Sequence, residues 1–277
     1  MLSIIVLSSD GYSDCWIPFF TLLKTNFPDV DKNEIILSTN TKTFKFPDLK
    51  IKTITHGEKT AWSKRLKVCL KKAKNDIVLV MAEDMFLRSI IDVKKLKDFL
   101  ALMKGADDID HIRLLSTRDR TTIVKGSTYN DLDEIEQKSK LRFLYLPGLW
   151  KKNILLKYLV NYESPFISEK LGDTRSWIYK HRFYVVSSKR TDNDEQFYDC
   201  RPSGALFKGK WSNWVPALLK DYNVTIDFDK RGFETKEFAK TSRIKSKIEL
   251  LKTPISTFRS FLSIIILFIK VKIFKVY

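Results

Sequence analysis

The chain has 277 residues, which is long enough for one large α/β domain or two small ones. An apolar content of 44% excludes general disorder, and a net charge of +17 points to a polyanionic partner, either nucleic acid or an anionic membrane. The three cysteines (Cys15, Cys69 and Cys200) are odd in number and far apart, and strand-like sequence begins at Leu2 without a signal peptide, so we expect reduced thiols in the cytoplasm.

Strand and helix patterns alternate through the first part of the chain. The predicted strands are Ser3–Ser9, Glu34–Ser38, Leu49–Ile54 and Ile77–Ala82. The predicted helices are Trp16–Thr25 and Thr60–Ala73, the second of which is amphipathic. This alternation is typical of an open, mostly parallel sheet flanked by helices.

The segment Asn75–Leu87 (NDIVLVMAEDMFL) is the most informative one for function. Its continuous apolar run predicts a strand buried on both faces, and the run stops at Glu83 and Asp84. Ligands of parallel sheets bind beyond the carboxyl ends of the strands, so these two acids lie where a cation or a sugar phosphate would be held. The alternative is a strand that ends in a solvated acidic turn.

The later elements are less regular. Further helices are predicted at Asp92–Met103, Lys151–Leu159 and Trp214–Asp221, and Ser164–Leu171 is predicted as a turn that enters a short helix. Strands are predicted at Ile109–Leu115 and Ser176–Ser187, with a short apolar pair at Leu141–Leu146 and Leu149-Trp150. We expect Ser116–Lys140 to be a long loop near the site and Arg201–Trp211 to be a flexible loop.

The end of the chain concentrates positive charge. Between Lys236 and Tyr277 there are ten Lys or Arg and two Glu, so we expect a globular domain at 1–235 and a basic, apolar-rich helical tail at 236–277. The longest apolar run of the tail, Phe261–Ile269, is nine residues, whereas a spanning helix needs about 20. The tail therefore suits the surface of an anionic membrane, and the alternative is a helix docked on the domain.

Six motifs follow one another along the chain. They are SSDGYSDCWIPFF (8–20), WSKRL (62–66), AEDMFL (82–87), RL (113–114), SPFISE (164–169) and GKW (209–211). In this order they resemble the pattern of bacterial GT-A-type glycosyltransferases of capsular and lipopolysaccharide (surface polysaccharide) biosynthesis. The resemblance implies a GT-A-like (Rossmann-like) α/β fold. Where that family pattern has L-D-D-Y-F-L, this chain has Glu83 and Met85, and the D-x-D triplet of metal-dependent members is absent.

The resemblance also implies a nucleotide-sugar donor, and candidate residues for binding it are Asp10, Tyr12, Trp62, Arg65, Glu83, Asp84 and Lys210. Asp10 and Tyr12 would hold the base or ribose; the alternative is a helix start capped by Asp14 or Ser13. Arg65 would contact phosphate, or else Trp62 packs beside a surface arginine. Lys210 would close over the diphosphate, unless its loop has no such role.

Two carboxylates are candidate catalytic residues. Asp84, with Glu83, would ligate Mg²⁺ or Mn²⁺; alternatively, Asp84 would hydrogen-bond the donor sugar without a metal. Glu169 is the candidate general base, with Asp173 as its substitute, and the alternative is a surface glutamate in the first turn of a helix. The three histidines have no metal-ligand spacing, so no zinc site is expected.

The leading prediction is a cytoplasmic enzyme, peripheral on the inner face of the membrane, that moves a sugar from a nucleotide donor to a glycan or lipid-linked acceptor. One rival is a non-enzymatic basic protein that binds nucleic acid, but no nucleic-acid motif is evident and no nucleic acid is expected as a partner. The other rival is a nucleotidyltransferase on the same fold, which the missing Gly-rich phosphate loop disfavours.

Overall fold

Strands and helices alternate along the computed structural model, which describes residues 1–115, 121–125, 129–187, 197–238 and 254–273. The strands are β1 (Ser3–Leu7), β2 (Glu34–Thr39), β3 (Ile51–Thr55), β4 (Ile77–Ala82), β5 (His111–Arg113), β6 (Leu132–Glu134), β7 (Gly148–Lys151), β8 (Phe183–Val186), β9 (Leu206–Phe207) and β10 (Lys210–Trp211). The α-helices are α1 (Trp16–Asn26), α2 (Trp62–Lys72), α3 (Val93–Gly105), α4 (Lys152–Tyr158), α5 (Pro165–Ile178), α6 (Val215–Asp221) and α7 (Pro254–Ile273).

Eight of the described strands form one sheet in the order β3-β2-β1-β4-β7-β5-β8-β6. Strands β1 to β4 pair in parallel, and β5 has the same direction because β7 is antiparallel to both β4 and β5. The predicted α/β fold, with a mostly parallel sheet flanked by helices, is confirmed. The carboxyl ends of β1 to β5 therefore lie at one edge of the sheet, here named the carboxyl edge.

Alternate side chains of the central strands pack into two different cores. Ile4 and Met81 belong to the layer on the side of α1 and α3, whereas Ile5 and Val80 belong to the layer that includes α2, α4 and α5. Since both faces of β1 and β4 are covered, nearly every residue of these strands is apolar. This is the physical reason why the run before Glu83 shows no alternation.

The structure corrects three predicted elements. Arg201–Trp211 is not a flexible loop, because it contains the hairpin of β9 and β10. The predicted loop 116–140 contains the edge strand β6, although 116–120 and 126–128 lie outside the described residues. The strand predicted from Ser176 begins only at Phe183, since α5 continues to Ile178. In each case tertiary pairing, which local patterns do not encode, decides the outcome.

The C-terminal helix α7 packs against α5. Ser260 and Val271 are buried, and Leu267 contacts the same core as α5. Docking on the domain, the alternative considered for this segment, is thus what the structure shows. Among the helices of the described ranges, none combines the length and the apolarity that crossing a bilayer requires.

Candidate functional site

Polar residues that follow different strands meet at the carboxyl edge. Ser8, Asp10 and Tyr12 follow β1, and Asn40 follows β2. His56 follows β3, and Glu83 and Asp84 follow β4. A short 3₁₀ helix (Asp10–Cys15) leads from β1 directly into α1. The parallel topology thus brings together groups that are separated by more than 70 residues in sequence.

Glu83 lies inside the carboxyl edge. Its side chain is buried and lies close to the Ser8 hydroxyl and to Arg65. The indole Nε1 of Trp16 donates to Ser8 Oγ at 2.7 Å and fixes that hydroxyl. Burial first, and then the neighbouring Asp84 charge, raises the pKa of Glu83 well above its ordinary value.

Asp84 lies beneath the β9–β10 hairpin. Its backbone oxygen accepts from Ala205 N at 2.7 Å, and its carboxylate lies close to the backbone of Leu206. A Cβ on Gly204, whose φ is +71°, would lie 2.4 Å from Asp84 Oδ2. Burial raises the pKa of Asp84 to about 6. The hairpin therefore encloses this carboxylate, and glycine is the residue that leaves room for it.

Arg65 is not a surface residue. It is 8% exposed, and its Nη1 donates to Ser8 O at 2.9 Å and to Asn40 Oδ1 at 3.4 Å. Within the described part of the chain, its buried Nε has no hydrogen-bond partner. Burial lowers the pKa of Arg65, an effect that nearby Glu83 opposes. The alternative of a surface arginine is wrong, and a buried cation with an unused donor is suited to an anion.

Asp10 organises the loop that follows β2. Its carboxylate accepts from the backbone nitrogens of Asn40, Thr41 and Lys42 at 3.0 to 3.2 Å, and from Thr41 Oγ1 at 2.5 Å. Burial would raise the pKa of Asp10, but these hydrogen bonds outweigh it and lower the pKa. With these donors occupying both carboxylate oxygens, Asp10 shapes the edge of the site; its contact with a base or ribose stays a prediction.

The turn that carries Tyr12 is held by a residue that the sequence did not suggest. Arg231 lies over the Tyr12 ring at 4.9 Å, and both its Nε and its Nη2 donate to Asp14 at 2.6 Å. Burial alone would raise the pKa of Asp14, but the Arg231 hydrogen bonds lower it. The alternative considered for this turn, a helix start capped by Asp14 or Ser13, is wrong, since Cys15 precedes α1 and no side chain of the described residues caps that helix.

Lys210 lies in β10, on the hairpin that covers Asp84. Its Nζ is 3.6 Å from the position that a Cβ on Gly232 would take, and Trp211 N donates to Gly232 O at 2.9 Å. The hairpin thus packs against the segment that supplies Arg231. Two cationic side chains, Lys210 and Arg231, therefore belong to adjoining segments that border the site.

Glu169 lies on α5, the helix that precedes β8. Its Oε1 accepts from Tyr145 N at 2.8 Å, and the Tyr145 ring contacts the Trp62 ring at 4.5 Å between centroids. Burial first, and then the Asp173 charge, raises the pKa of Glu169 to about 7. Asp173 itself accepts from Leu141 N and Phe143 N, so it is used to position that segment. Glu169 is thus joined to the N-terminus of α2 by two contacts.

The two adjacent acids differ in their fitness for a metal. In the part of the chain that the structure describes, no group of three His, Cys, Asp or Glu side chains could hold an ion. Mg²⁺ and Mn²⁺ nevertheless need only one or two carboxylates when substrate phosphates complete the shell. Asp84 is the more accessible of the two acids because it is half-buried, whereas the Glu83 side chain is buried.

Sequence reasoning missed Arg231, Gly204 and Asn40. Arg231 contacts Gly11 O across 220 residues of sequence, so no local pattern could reveal it. Gly204 gave a weak signal, as a glycine in the segment Arg201–Trp211. Asn40 lies two residues beyond the predicted strand Glu34–Ser38 and gave no signal of its own, although its amide oxygen accepts from both Asp10 N and Arg65.

Comparison with known proteins gives neither a matching family model nor a matching curated protein. Solved structures with a similar fold include S. aureus TarS 1–349 in complex with UDP-GlcNAc (17% identity, 68% of this chain, 56% of that chain, TM-score 0.46). A second is the mannosyltransferase PcManGT from Pyrobaculum calidifontis in complex with GDP-Man and Mn²⁺ (13% identity, 69% of this chain, 58% of that chain, TM-score 0.45). A third is a cytidylyltransferase from Leptospira borgpetersenii (12% identity, 72% of this chain, 81% of that chain, TM-score 0.43). This chain spans little more than half the length of the first two.

Proposed function

We propose that this chain is a nucleotide-sugar-dependent glycosyltransferase that transfers a sugar to a glycan acceptor, as the motifs of surface-polysaccharide enzymes imply. One observation carries the proposal. The carboxyl edge combines Asp84 with a buried Arg65 whose Nε is unused, beneath the hairpin that bears Lys210. A carboxylate and cations at the ends of parallel strands are suited to a sugar diphosphate.

In the proposed reaction, Arg65 and Lys210 stabilise the negative charge that develops on the leaving diphosphate. Glu169 takes the proton of the acceptor hydroxyl while that oxygen bonds to the anomeric carbon, and the carbon–oxygen bond to the diphosphate breaks. The pKa of about 7 supports this role, because a base titrating near neutral pH is both ionised and able to accept a proton. Asp84, with Glu83 beside it, would hold Mg²⁺ or Mn²⁺, which when bound neutralises diphosphate charge.

The proposal extends to the acceptor and the location. The division into a catalytic domain at 1–235 and a basic tail at 236–277 belongs to it, as does a place on the cytoplasmic face of an anionic membrane. A lipid-linked glycan acceptor would make that place useful, since enzyme and acceptor would then share a surface. The apolar residues that α7 exposes support this extension.

A thermal-shift panel of nucleotide-sugars with and without Mn²⁺ tests donor binding. A ligand at about 100 times its Kd stabilises the native state by about 2.7 kcal/mol, so one donor should raise Tm by roughly 5 to 10 °C. A donor that acts only with Mn²⁺ would identify a metal-dependent site. No shift with any nucleotide-sugar would contradict the proposal.

Replacing Asp84 tests the site itself. We expect Asp84→Asn to lower the transfer rate by at least about a hundredfold, because it removes the charge that faces the donor. Asp76→Asn, the same change at the other end of β4 on a fully exposed side chain, is the matched control and should keep its activity. An active Asp84→Asn enzyme would contradict the assignment. Release of pyrophosphate from a nucleoside triphosphate would instead identify the rival nucleotidyltransferase.

A further inference from the structure

The helix α7 has two faces of opposite character. Toward the domain it presents Ser260, Ile264, Leu267 and Val271, at the spacing of one helical stripe. Away from the domain, large apolar side chains are 39% to 68% exposed: Phe258, Phe261, Leu262, Ile265, Ile266, Phe268, Ile269 and Ile273. A soluble surface helix normally exposes polar residues, and among the described residues this outward face has no partner.

Positive charges border this outward face. With successive residues turned by about 100°, Arg259 and Lys270 lie on one flank of this face, whereas Lys272 lies within it, between Phe261 and Ile265 in angle and close to the end of the helix. No acidic residue occurs in the sequence of α7. Apolar side chains flanked by long cationic ones are the pattern of a helix that lies in the plane of a membrane interface.

We propose that the outward face of α7 is a docking surface for an anionic lipid bilayer, with the helix in the plane of the interface and its inner stripe on α5. A second copy of this chain is the competing occupant. The net charge of +17 on each copy opposes self-association and favours an anionic partner, so charge complementarity selects the bilayer.

This geometry has a consequence that rests on the proposed function. The helix α7 packs against α5, and α5 carries Glu169, the proposed general base. Bilayer docking would therefore anchor the helix that supplies the acceptor side of the site. A lipid-linked acceptor is the substrate class that suits such an arrangement.

Flotation of the full-length chain with lipid vesicles tests the docking surface. We expect the wild-type protein to float with vesicles that contain phosphatidylglycerol and to bind pure phosphatidylcholine more weakly. Ile265→Ser/Ile269→Ser should reduce binding to the anionic vesicles by at least about tenfold, because it removes apolar area that enters the lipid. Lys270→Gln/Lys272→Gln should reduce it by about fivefold for each charge.

The matched control is Ile17→Ser/Ile90→Ser, which makes the same change at two exposed isoleucines outside α7. It should bind vesicles as the wild type does, and unchanged circular dichroism and Tm should verify that each variant folds. Vesicle binding by Ile265→Ser/Ile269→Ser at the wild-type level would overturn the proposal. The proposal would also be overturned if the wild-type protein did not bind vesicles but formed a concentration-dependent dimer that Ile265→Ser/Ile269→Ser abolished. Neither result depends on donor binding, so failure here is distinguishable from failure of the proposed function.

Discussion

At the scale of single residues, burial raises the pKa values of the two acids at the carboxyl edge and of Glu169 on α5. Glu83, Asp84 and Glu169 all have pKa values above the ordinary range of a carboxyl group, with desolvation as the largest cause. Raised pKa values near a cleft are typical of catalytic groups, which is why stability and activity should respond oppositely at Asp84.

We predict that Asp84→Asn stabilises the protein at pH 8 while it abolishes transfer. The folded-state pKa of about 6 exceeds the unfolded value of about 3.9, so folding favours the neutral acid. The resulting stability is present below pH 4 and is lost as pH rises through 6. Asparagine mimics the neutral form, so Tm should rise by several degrees at pH 8 and stay unchanged at pH 4. Equal shifts at both pH values would contradict this explanation.

A second prediction concerns the pH dependence of transfer through Glu169. With a pKa of about 7, the ionised fraction grows from roughly a tenth at pH 6 to nine-tenths at pH 8, so kcat/KM should rise about tenfold. Glu169→Gln should lower kcat by about 10² to 10⁴ and remove the step near pH 7. A profile that keeps this step in Glu169→Gln would assign the base to another group.

The third prediction uses two glycines with similar backbones. Alanine at Gly204 (φ +71°) or at Gly57 (φ +78°) should cost about 1 to 2 kcal/mol, because the left-handed region disfavours a side chain. Only Gly204 faces a neighbour, Asp84, whose carboxylate must then move. Denaturation should show a greater loss for Gly204→Ala, and kinetics should show at least a tenfold lower transfer rate for that variant alone. Equal activities would exclude a positioning role.

At the scale of elements, a buried ion pair fixes the N-terminus of α2. Arg175 Nη1 donates to Glu163 Oε2 at 2.9 Å and to Tyr158 O at 3.1 Å, and both side chains of the pair are fully buried. The backbone oxygen of Glu163 then accepts from Ser63 N at 3.2 Å. The pair thus ties α5 to the helix start that carries Trp62 and Arg65.

We predict that removing one member of this pair destabilises the protein, whereas replacing both members with apolar residues does not. Arg175→Met leaves a buried carboxylate unpaired and should lower the free energy of unfolding by about 3 to 5 kcal/mol. Adding Glu163→Leu should recover most of that loss, because two apolar side chains need no compensating charge. Urea denaturation of the single and double variants measures both effects. A double variant no more stable than Arg175→Met would show that the pair is not the cause.

At the scale of the whole molecule, the charge of +17 has two competing explanations, and salt separates them. We predict that affinity for duplex DNA is weak and falls at least a hundredfold between 50 and 300 mM salt, because it rests on counterion release. Binding to anionic vesicles should fall less than tenfold, since apolar insertion by α7 is not screened. Filter binding measures the affinity for DNA, and flotation measures the binding to vesicles. Nanomolar DNA affinity at 150 mM salt would favour the hypothesis that the protein binds nucleic acid.

The sequence by itself determined those features that depend on short stretches of the chain or on regular spacing of apolar residues. The buried strand β4, its termination at Glu83 and Asp84, and the helices α1 and α2 follow from periodicity and from the two-sided burial of a parallel strand. These patterns sufficed to predict the sheet and the edge at which the candidate residues lie.

Only the tertiary structure decided which residues meet at that edge. The contacts of Arg231 with Asp14 and of the Gly204 hairpin with Asp84 join segments more than 100 residues apart, and the two faces of α7 are defined only by its docking on α5. Burial then set the pKa values of Asp84 and Glu169. Desolvation depends on what packs around a group in space, and that information is absent from the spacing of residues along a chain.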